Sequence, residues 1–458
     1  MHRLCSHLMV YSDFGRDCIL YRIAGIIEDA ELLRQNNPKV LELNEDVLVM
    51  RTYREVKRLL DLATEYGFDC NIWQDYLTFL LMMNENSFTL TAERRHSQEG
   101  SIKGLVCQDF AIFMKLFHYD FLPLESELGI DCFTTLTHYT AIEKRERMYN
   151  RQVSMQIRRL SEALAECDDA RAFYEVLSEY YETFGVGIYA INRAFRCRRK
   201  PVSVEEGIPD GEVEIYPIIN TDAVVLDDLV GYELQKEKLL RNTGAFVSGR
   251  PANNCLLYGD SGTGKSTAIK AICNAFYGRG LRMIELYKHQ CRDLSHVISQ
   301  IKSRNYYYII YMDDLSFEEF ETEYKYLKAV IEGGVERRPD NVLIYATSNR
   351  RHLIRENWSD RSDMEVSGDM HRSDTMQEKL SLFNRFGVTI QFGRPDKKGY
   401  NEIVTTLARR QLGSGYTEQE LLAEANKWEI AHGGVSGRTA QQFIDYLAGQ
   451  PTVYNLRY

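Results

Sequence analysis

The chain contains no C-x-x-C pair, no apolar run approaching the ~18 residues of a membrane span, and no excess of basic charge; each absence removes a class of protein. Ten cysteines lie scattered from Cys5 to Cys291. Without paired spacing they make neither a zinc framework nor a disulfide scaffold, and Cys255 and Cys273 sit among apolar neighbours, as reduced core residues of a cytoplasmic protein do. The first residues, MHRLCSHLMVYSDFGRD, are broken by Asp13, Arg16 and Asp17 before a secretory apolar segment can form. The expectation is a chain that is neither exported nor membrane-spanning. A net charge of -10 gives no global attraction to nucleic acid or anionic lipid, so any such contact needs a local patch. Internal repeats and low-complexity segments are also missing.

What is present is ordinary globular composition, 44% hydrophobic and 27% charged, over 458 residues, which is too long for one average core. Proline is sparse, with nine in all, yet Pro201, Pro209 and Pro217 fall together in RKPVSVEEGIPDGEVEIYPIIN with Gly207 and Gly211. That punctuation predicts a linker over 201–221. Before it, Met155, Ile157, Leu160 and Leu164 recur at roughly helical spacing and the pattern repeats after Asp169, so residues 1–200 are expected to be mainly helical. Aromatic residues there, such as Phe110, Phe113, Phe117 and Tyr119, read as core, and no catalytic constellation emerges. Beyond the linker, the short apolar runs NCLLYG, LRMIELY, YYIIYM, NVLIYAT and VTIQF alternate with longer amphipathic segments. This is the βαβ rhythm of a parallel α/β sheet of five strands, expected over 222–393. From 394 to 458 the spacing is helical again.

The first of these strands runs into GDSGTGKST, which satisfies G-x-x-x-x-G-K-[ST] over Gly259, Asp260, Ser261, Gly262, Thr263, Gly264, Lys265, Ser266 and Thr267. Strand, glycine loop and helix start together form a nest of backbone N–H groups facing an anion, reinforced by the helix dipole. Lys265 would reach the β and γ phosphates of a nucleotide, and the Ser266 hydroxyl would ligate Mg²⁺. A second strand, YYIIYM, ends abruptly on Asp313 and Asp314. Strand ends of a parallel sheet open on the ligand crevice, so Asp313 is the candidate Mg²⁺ holder and Asp314 the candidate for positioning the attacking water, with Glu318 as its substitute. Helix capping is the plainer role for an aspartate after a strand. ATP and Mg²⁺ are the expected cofactors. The guanine motif N-K-x-D is absent, which weighs against a GTPase.

Further segments occur in a telling order. LDDLVGYELQKEKLL, with Val230 and Gly231 at its centre, precedes the phosphate loop; VLIYATSNRRHL, KLSLFNRFGVTIQF and GGVSGRTAQQF follow it. Singly, Asn349 also reads as a turn residue, Arg385 as an ion-pair partner and Arg438 as a helix-start charge. The ordered set resembles the AAA+ ATPases. The resemblance implies that Val230 and Gly231 pack on adenine, that Asn349 is sensor 1, that Arg385 is an arginine finger given to a neighbouring subunit, and that Arg438 is sensor 2. More narrowly, DDLSFEEFETEYKYLKAVIEGGVERRPDNVLIYATSNRRHLI with EKLSLFNRFG resembles a bacterial AAA+ family known as a domain of unknown function, over about residues 200 to 450. It implies that Asp-Asp in place of Asp-Glu is the family's own form. The departure is at Phe383 and Asn384, where small polar residues are expected.

The resemblance implies a homo-oligomer, a ring or open ring such as a hexamer, that hydrolyses ATP to remodel or load a macromolecular partner held by the N-terminal region. ELYKHQCRDLSHVISQI lacks the glycine of an aromatic pore loop, which disfavours polypeptide threading, although Tyr287 stands in that region. The alternative is a nucleotide-dependent switch or loader associated with DNA and slow in hydrolysis; a small-molecule kinase ranks behind both. Two basic clusters offer the nucleic-acid contact: Arg193, Arg196, Arg198, Arg199 and Lys200, and then Arg350, Arg351 and Arg355. A solvated linker and subunit-interface charges explain them as well.

Overall fold

The computed structural model describes residues 1–15, 17–35, 44–94, 100–141, 151–200, 212–219, 221–317, 323–332, 339–349, 382–412 and 417–449. The chain divides into two compact units, Met1–Asn192 and Arg193–Tyr458. The first is helical, as the sequence predicts. Its longer helices are Ile19–Arg34, Glu45–Tyr66, Ile72–Met83, Ser101–Phe117, Arg151–Ala165 and Ala170–Phe184. Phe110, Phe113 and Phe117 are buried in its core and Tyr119 packs against it, while Met155 turns out of the helical stripe and is exposed. Asp109 is fully buried; its carboxylate accepts the N–H groups of Met9, Val10 and Tyr11 at 2.8–2.9 Å, so the charge ties an irregular segment to a helix.

The second unit is built on a seven-stranded sheet. Its strands are β1 (Ala194–Arg199), β2 (Val213–Pro217), β3 (Cys255–Gly259), β4 (Leu281–Glu285), β5 (Tyr307–Met312), β6 (Val342–Ser348) and β7 (Val388–Phe392), in the spatial order β2-β1-β4-β5-β6-β3-β7. The five expected strands are β3 to β7 and all are parallel. Two were not expected. β1 pairs parallel to β4, and β2 returns antiparallel along the outer edge, so the sheet begins at Ala194, before the proline-rich segment that the sequence suggested as the boundary.

The misreading has a physical cause. In AFRCRR, Phe195 and Cys197 face the core while the intervening arginines meet carboxylates brought in by the fold: Arg196 with Glu285 at 2.7 Å, Arg198 with Glu214 at 2.8 Å and Arg199 with Asp293 at 2.5 Å. Lys200 completes the set with Glu212 at 3.3 Å. Four of the five charges of the first basic cluster thus meet carboxylates along β1 and just past it, while Arg193 lies over the Tyr277 ring, so the cluster is not an open cationic patch. The second cluster, Arg350, Arg351 and Arg355, lies outside the described residues, as do Pro201, Gly207, Pro209, Gly211 and Glu318.

Central strands β5 and β6 are buried along nearly their whole length, which is why they read as continuous apolar runs. Helices Glu233–Phe246, Lys265–Phe276, Leu294–Ile301 and Glu323–Glu332 accompany the sheet. The chain then forms three described helices, Lys397–Gln411, Glu418–Ala431 and Gly437–Gly449, around a small core of Tyr400, Val404, Leu421, Phe443 and Ile444; this lid falls where the spacing from 394 onward predicts helices. Among the described residues no helix is long and apolar enough to cross a membrane.

Candidate nucleotide site

β3, β6 and β5 lie side by side and parallel, so their carboxyl ends open on one crevice. β3 delivers the glycine loop, β6 delivers Thr347 and Asn349, and β5 delivers Asp313 and Asp314. Above them the lid completes a cavity of about 880 Å³. Two glycines of the loop cannot carry a side chain. Gly259 has φ +138° and a Cβ there would run into the Phe392 carbonyl; Gly264 has φ +89° and a Cβ would run into the Leu229 side chain.

Lys265 begins the helix that follows the loop and is buried. Its Nζ donates to the Gly259 carbonyl at 2.9 Å, the Asp260 carbonyl at 2.6 Å and Asn349 Oδ1 at 3.0 Å. Burial pulls its pKa below the usual lysine range, against the opposing pull of Asp314, Asp260 and Asp313. Ser266 Oγ donates to Asp313 Oδ1 at 2.7 Å, and the same oxygen accepts from Thr347 Oγ1 at 2.5 Å. Burial alone would raise the Asp313 carboxyl; the hydrogen bonds from Thr347 and Ser266 outweigh it and hold the group below the ordinary carboxylate range.

Asp314 has φ +47°, in the left-handed region that non-glycine residues avoid at a cost of roughly 1–3 kcal/mol. Aspartate is among the side chains that tolerate it best. The turn brings its Oδ1 to 2.7 Å from Asn349 Nδ2. Asn349 therefore uses both ends of its amide, accepting from Lys265 and donating to Asp314.

The sequence-predicted residues from Ser261 to Thr267 line the cavity together with Val230, Asp313, Asp314, Asn349 and Arg438. Arg438 stands at the start of the last lid helix, and its backbone N–H donates to the Gly262 carbonyl at 3.2 Å, fastening lid to loop. Gly259 and Asp260 are set back from the cavity: their carbonyls hold Lys265, and the Asp260 carboxylate lies 3.6 Å from Arg394. Gly231 is also outside the lining, with φ +78° in the turn before helix Glu233–Phe246.

Arg385 lies apart from the cavity lining and forms an ion pair with Glu332, so its plainer reading is realised within this chain. Phe383, the departure from the expected pattern, packs edge-on against Tyr258 at the end of β3, 5.8 Å between centroids, which anchors the segment carrying Arg385.

Sequence reading missed several lining residues. Thr347 joins the two aspartates. Leu229, Ile403 and Leu407 form an apolar slot with Val230, and Arg410 closes its rim by donating to Asp228 at 3.0 Å and to the Asp227 carbonyl at 2.9 Å. Only the segment around Leu229 carried any signal; the lid residues are far away in sequence and look like ordinary helix-face positions.

The oxygen donors fit a hard cation. Ser266 and Asp313 present a hydroxyl and a carboxylate on one side of the cavity, the sparse protein ligation that Mg²⁺ accepts when phosphates complete its shell. The chemistry it would supply there is charge neutralisation at the phosphates.

Comparison with known proteins gives a family match and distant likenesses. The family model described as "Protein of unknown function (DUF815)" matches residues 205–451, more than half of the chain. A Cell division cycle protein 48 homolog from Archaeoglobus fulgidus is 24% identical over 246 residues, covering 52% of this chain and 31% of that protein. The chain thus spans about a third of that relative's length. Among solved structures, C. elegans PCH-2 aligns over 50% of this chain and 65% of its own, with 15% identity and a TM-score of 0.34. The Thermotoga maritima RuvB Holliday junction branch migration motor aligns over 50% and 74%, with 15% identity and a TM-score of 0.29. No argument rests on likenesses of that size. The family match bears out the expected resemblance to a family known as a domain of unknown function, over nearly the expected span.

Proposed function

The chain belongs to the DUF815 family, and from that premise we propose that it hydrolyses ATP as an oligomer and uses the turnover to remodel or load a macromolecular partner through its N-terminal unit. The observation that carries the proposal is the convergence of Lys265, Ser266, Asp313, Asp314 and Asn349 on one cavity, each within hydrogen-bond reach of another member. Lys265 and the loop amides bind the phosphates. Asp313 and Ser266 would hold Mg²⁺. Asp314 orients water and takes its proton, and Asn349 fixes Asp314. Arg438 brings lid charge to the phosphates. The apolar slot of Val230, Ile403 and Leu407 suits a flat base such as adenine.

Arg385 is the residue that a single subunit leaves outside its own site. Given to a neighbour, an arginine there would neutralise charge spread over the transferring phosphoryl group, an effect worth roughly 10³–10⁵ in rate in other NTPases. The ion pair with Glu332 is then a resting contact exchanged on assembly.

Steady-state ATP hydrolysis against protein concentration tests the reading, with the native chain beside Asp314→Asn and Arg385→Ala. Native specific activity is expected to rise with concentration, and both variants to lose most turnover while still binding ATP. Native turnover that is negligible, and unchanged by Asp314→Asn, contradicts it. A second reading, a binding switch with slow hydrolysis, is favoured by one observation: the second carboxylate is an aspartate whose Oδ1 already accepts from Asn349, which leaves less of a short side chain to act on water. Turnover that stays low until a partner is added would select that reading.

A further inference from the structure

We propose that Thr347 is a positioning residue that sets the working geometry of both aspartates, so that an Asp-Asp doublet does what a longer second carboxylate would otherwise do. The inference deepens the ATPase reading and rests on it. Thr347 is 1% exposed, near the end of β6, where an apolar β-branched residue would pack equally well. Its hydroxyl has one proton and accepting lone pairs, and both functions are used. The proton goes to Asp313 Oδ1 at 2.5 Å; the oxygen accepts the Asp314 N–H at 2.9 Å. Its own carbonyl accepts the Leu315 N–H at 2.7 Å.

Register pairing of β5 with β6 ends at Met312 and Ala346. Past that point, one residue of β6 holds the three successive residues Asp313, Asp314 and Leu315 that follow β5. Asp314 sits in the middle of that grip with φ +47°, its N–H fixed on one side and the next N–H fixed on the other. A left-handed residue persists only where its surroundings over-determine it, and Thr347 supplies that determination. The turn aims Asp314 at Asn349 and the cavity; an extended backbone would send it toward the opposite face of the sheet. Aspartate is one methylene shorter than glutamate, and the kink brings its carboxylate forward.

The hydroxyl is separable from the packing. Thr347→Val preserves shape and loses both hydrogen bonds; Thr347→Ser keeps them and loses a methyl; Thr347→Ala serves where valine fails to fold, judged by circular dichroism. Two readouts are taken on the full chain: kcat and KM for ATP, and the Mg²⁺ concentration that half-saturates binding of a fluorescent ATP analogue. For Thr347→Val, kcat is expected to fall at least about tenfold, since misplacement of about 1 Å costs up to ~10²-fold, with KM changed less than about threefold. The Mg²⁺ requirement should rise several-fold, because Asp313 loses one of its fixed donors. Thr347→Ser should stay near native in both.

Valine equal to native in both readouts, or serine failing as badly as valine, overturns the proposal in favour of packing alone. If the native chain binds Mg²⁺-nucleotide but does not turn over, the ATPase reading fails while the Mg²⁺ readout still decides whether Thr347 positions Asp313. A native chain with no Mg²⁺-linked nucleotide binding overturns both.

Discussion

Asp314 sets the second carboxylate of the site on a strained backbone. Its left-handed backbone and its hydrogen bond to Asn349 define where the carboxylate can reach. Lengthening the side chain should not help: Asp314→Glu is expected to lower kcat by about tenfold, because the glutamate overshoots a position already reached by the kink and tolerates that backbone less well. Steady-state kinetics decide it, and a faster Asp314→Glu enzyme would mean that the native site is limited by reach. Lys265, Ser266 and the two aspartates were legible in the sequence because loop spacing and a strand that ends on carboxylates are local signals. Thr347 was not, since a threonine inside VLIYATS reads as one more β-former, and only the pairing of β5 with β6 reveals what its hydroxyl touches.

At the scale of elements, β1 was hidden by its own arginines, whose carboxylate partners are brought in by the fold, and the edge strand β2 by lying in the segment punctuated by proline and glycine. Arg199 meets Asp293, which is nearly buried; Arg198 meets Glu214 at the surface. Arg199→Ala is expected to destabilise the second unit by about 2–4 kcal/mol, because it strands a buried carboxylate. Arg198→Ala should leave the unfolding midpoint unchanged. Chemical denaturation measures both, and equal effects would contradict the assignment.

In the first unit, Asp75 on helix Ile72–Met83 is buried, and burial, opposed by the Asp69 amide and Ser161, pushes its carboxyl up to about 6. The folded state therefore holds that proton more tightly than the unfolded chain. The group's contribution to stability is full below the ordinary aspartate pKa and is lost as pH rises through about 6. Asp75→Asn should be more stable than native at pH 7.5, by at most about 3 kcal/mol, and lose that advantage near pH 4. Thermal midpoints across pH would show it, and a constant offset would contradict it. The helices of this unit were legible from spacing, and so was the burial of Phe110 and Phe113. Its buried carboxylates were not, since their partners are backbone amides brought in by the fold.

For the molecule as a whole, one cavity gathers the glycine loop, Asp313, Asp314, Asn349 and Arg438, while Arg385 lies outside its lining and pairs with Glu332. If subunits complete one another, two inactive variants can be combined into an active assembly. Arg385→Ala retains an intact site and lacks the finger; Asp314→Asn retains the finger and lacks the carboxylate. The order of motifs suggests this division, but the ion pair with Glu332 is long-range and could not be read. The decisive measurement is ATP turnover of the two variants mixed at a concentration where the native chain is assembled. The expected result is recovery to a substantial fraction of native activity, at least about tenfold above either variant alone. A mixture no more active than the mean of its components, beside a native chain whose specific activity is independent of concentration, would contradict an oligomeric ATPase with a shared site.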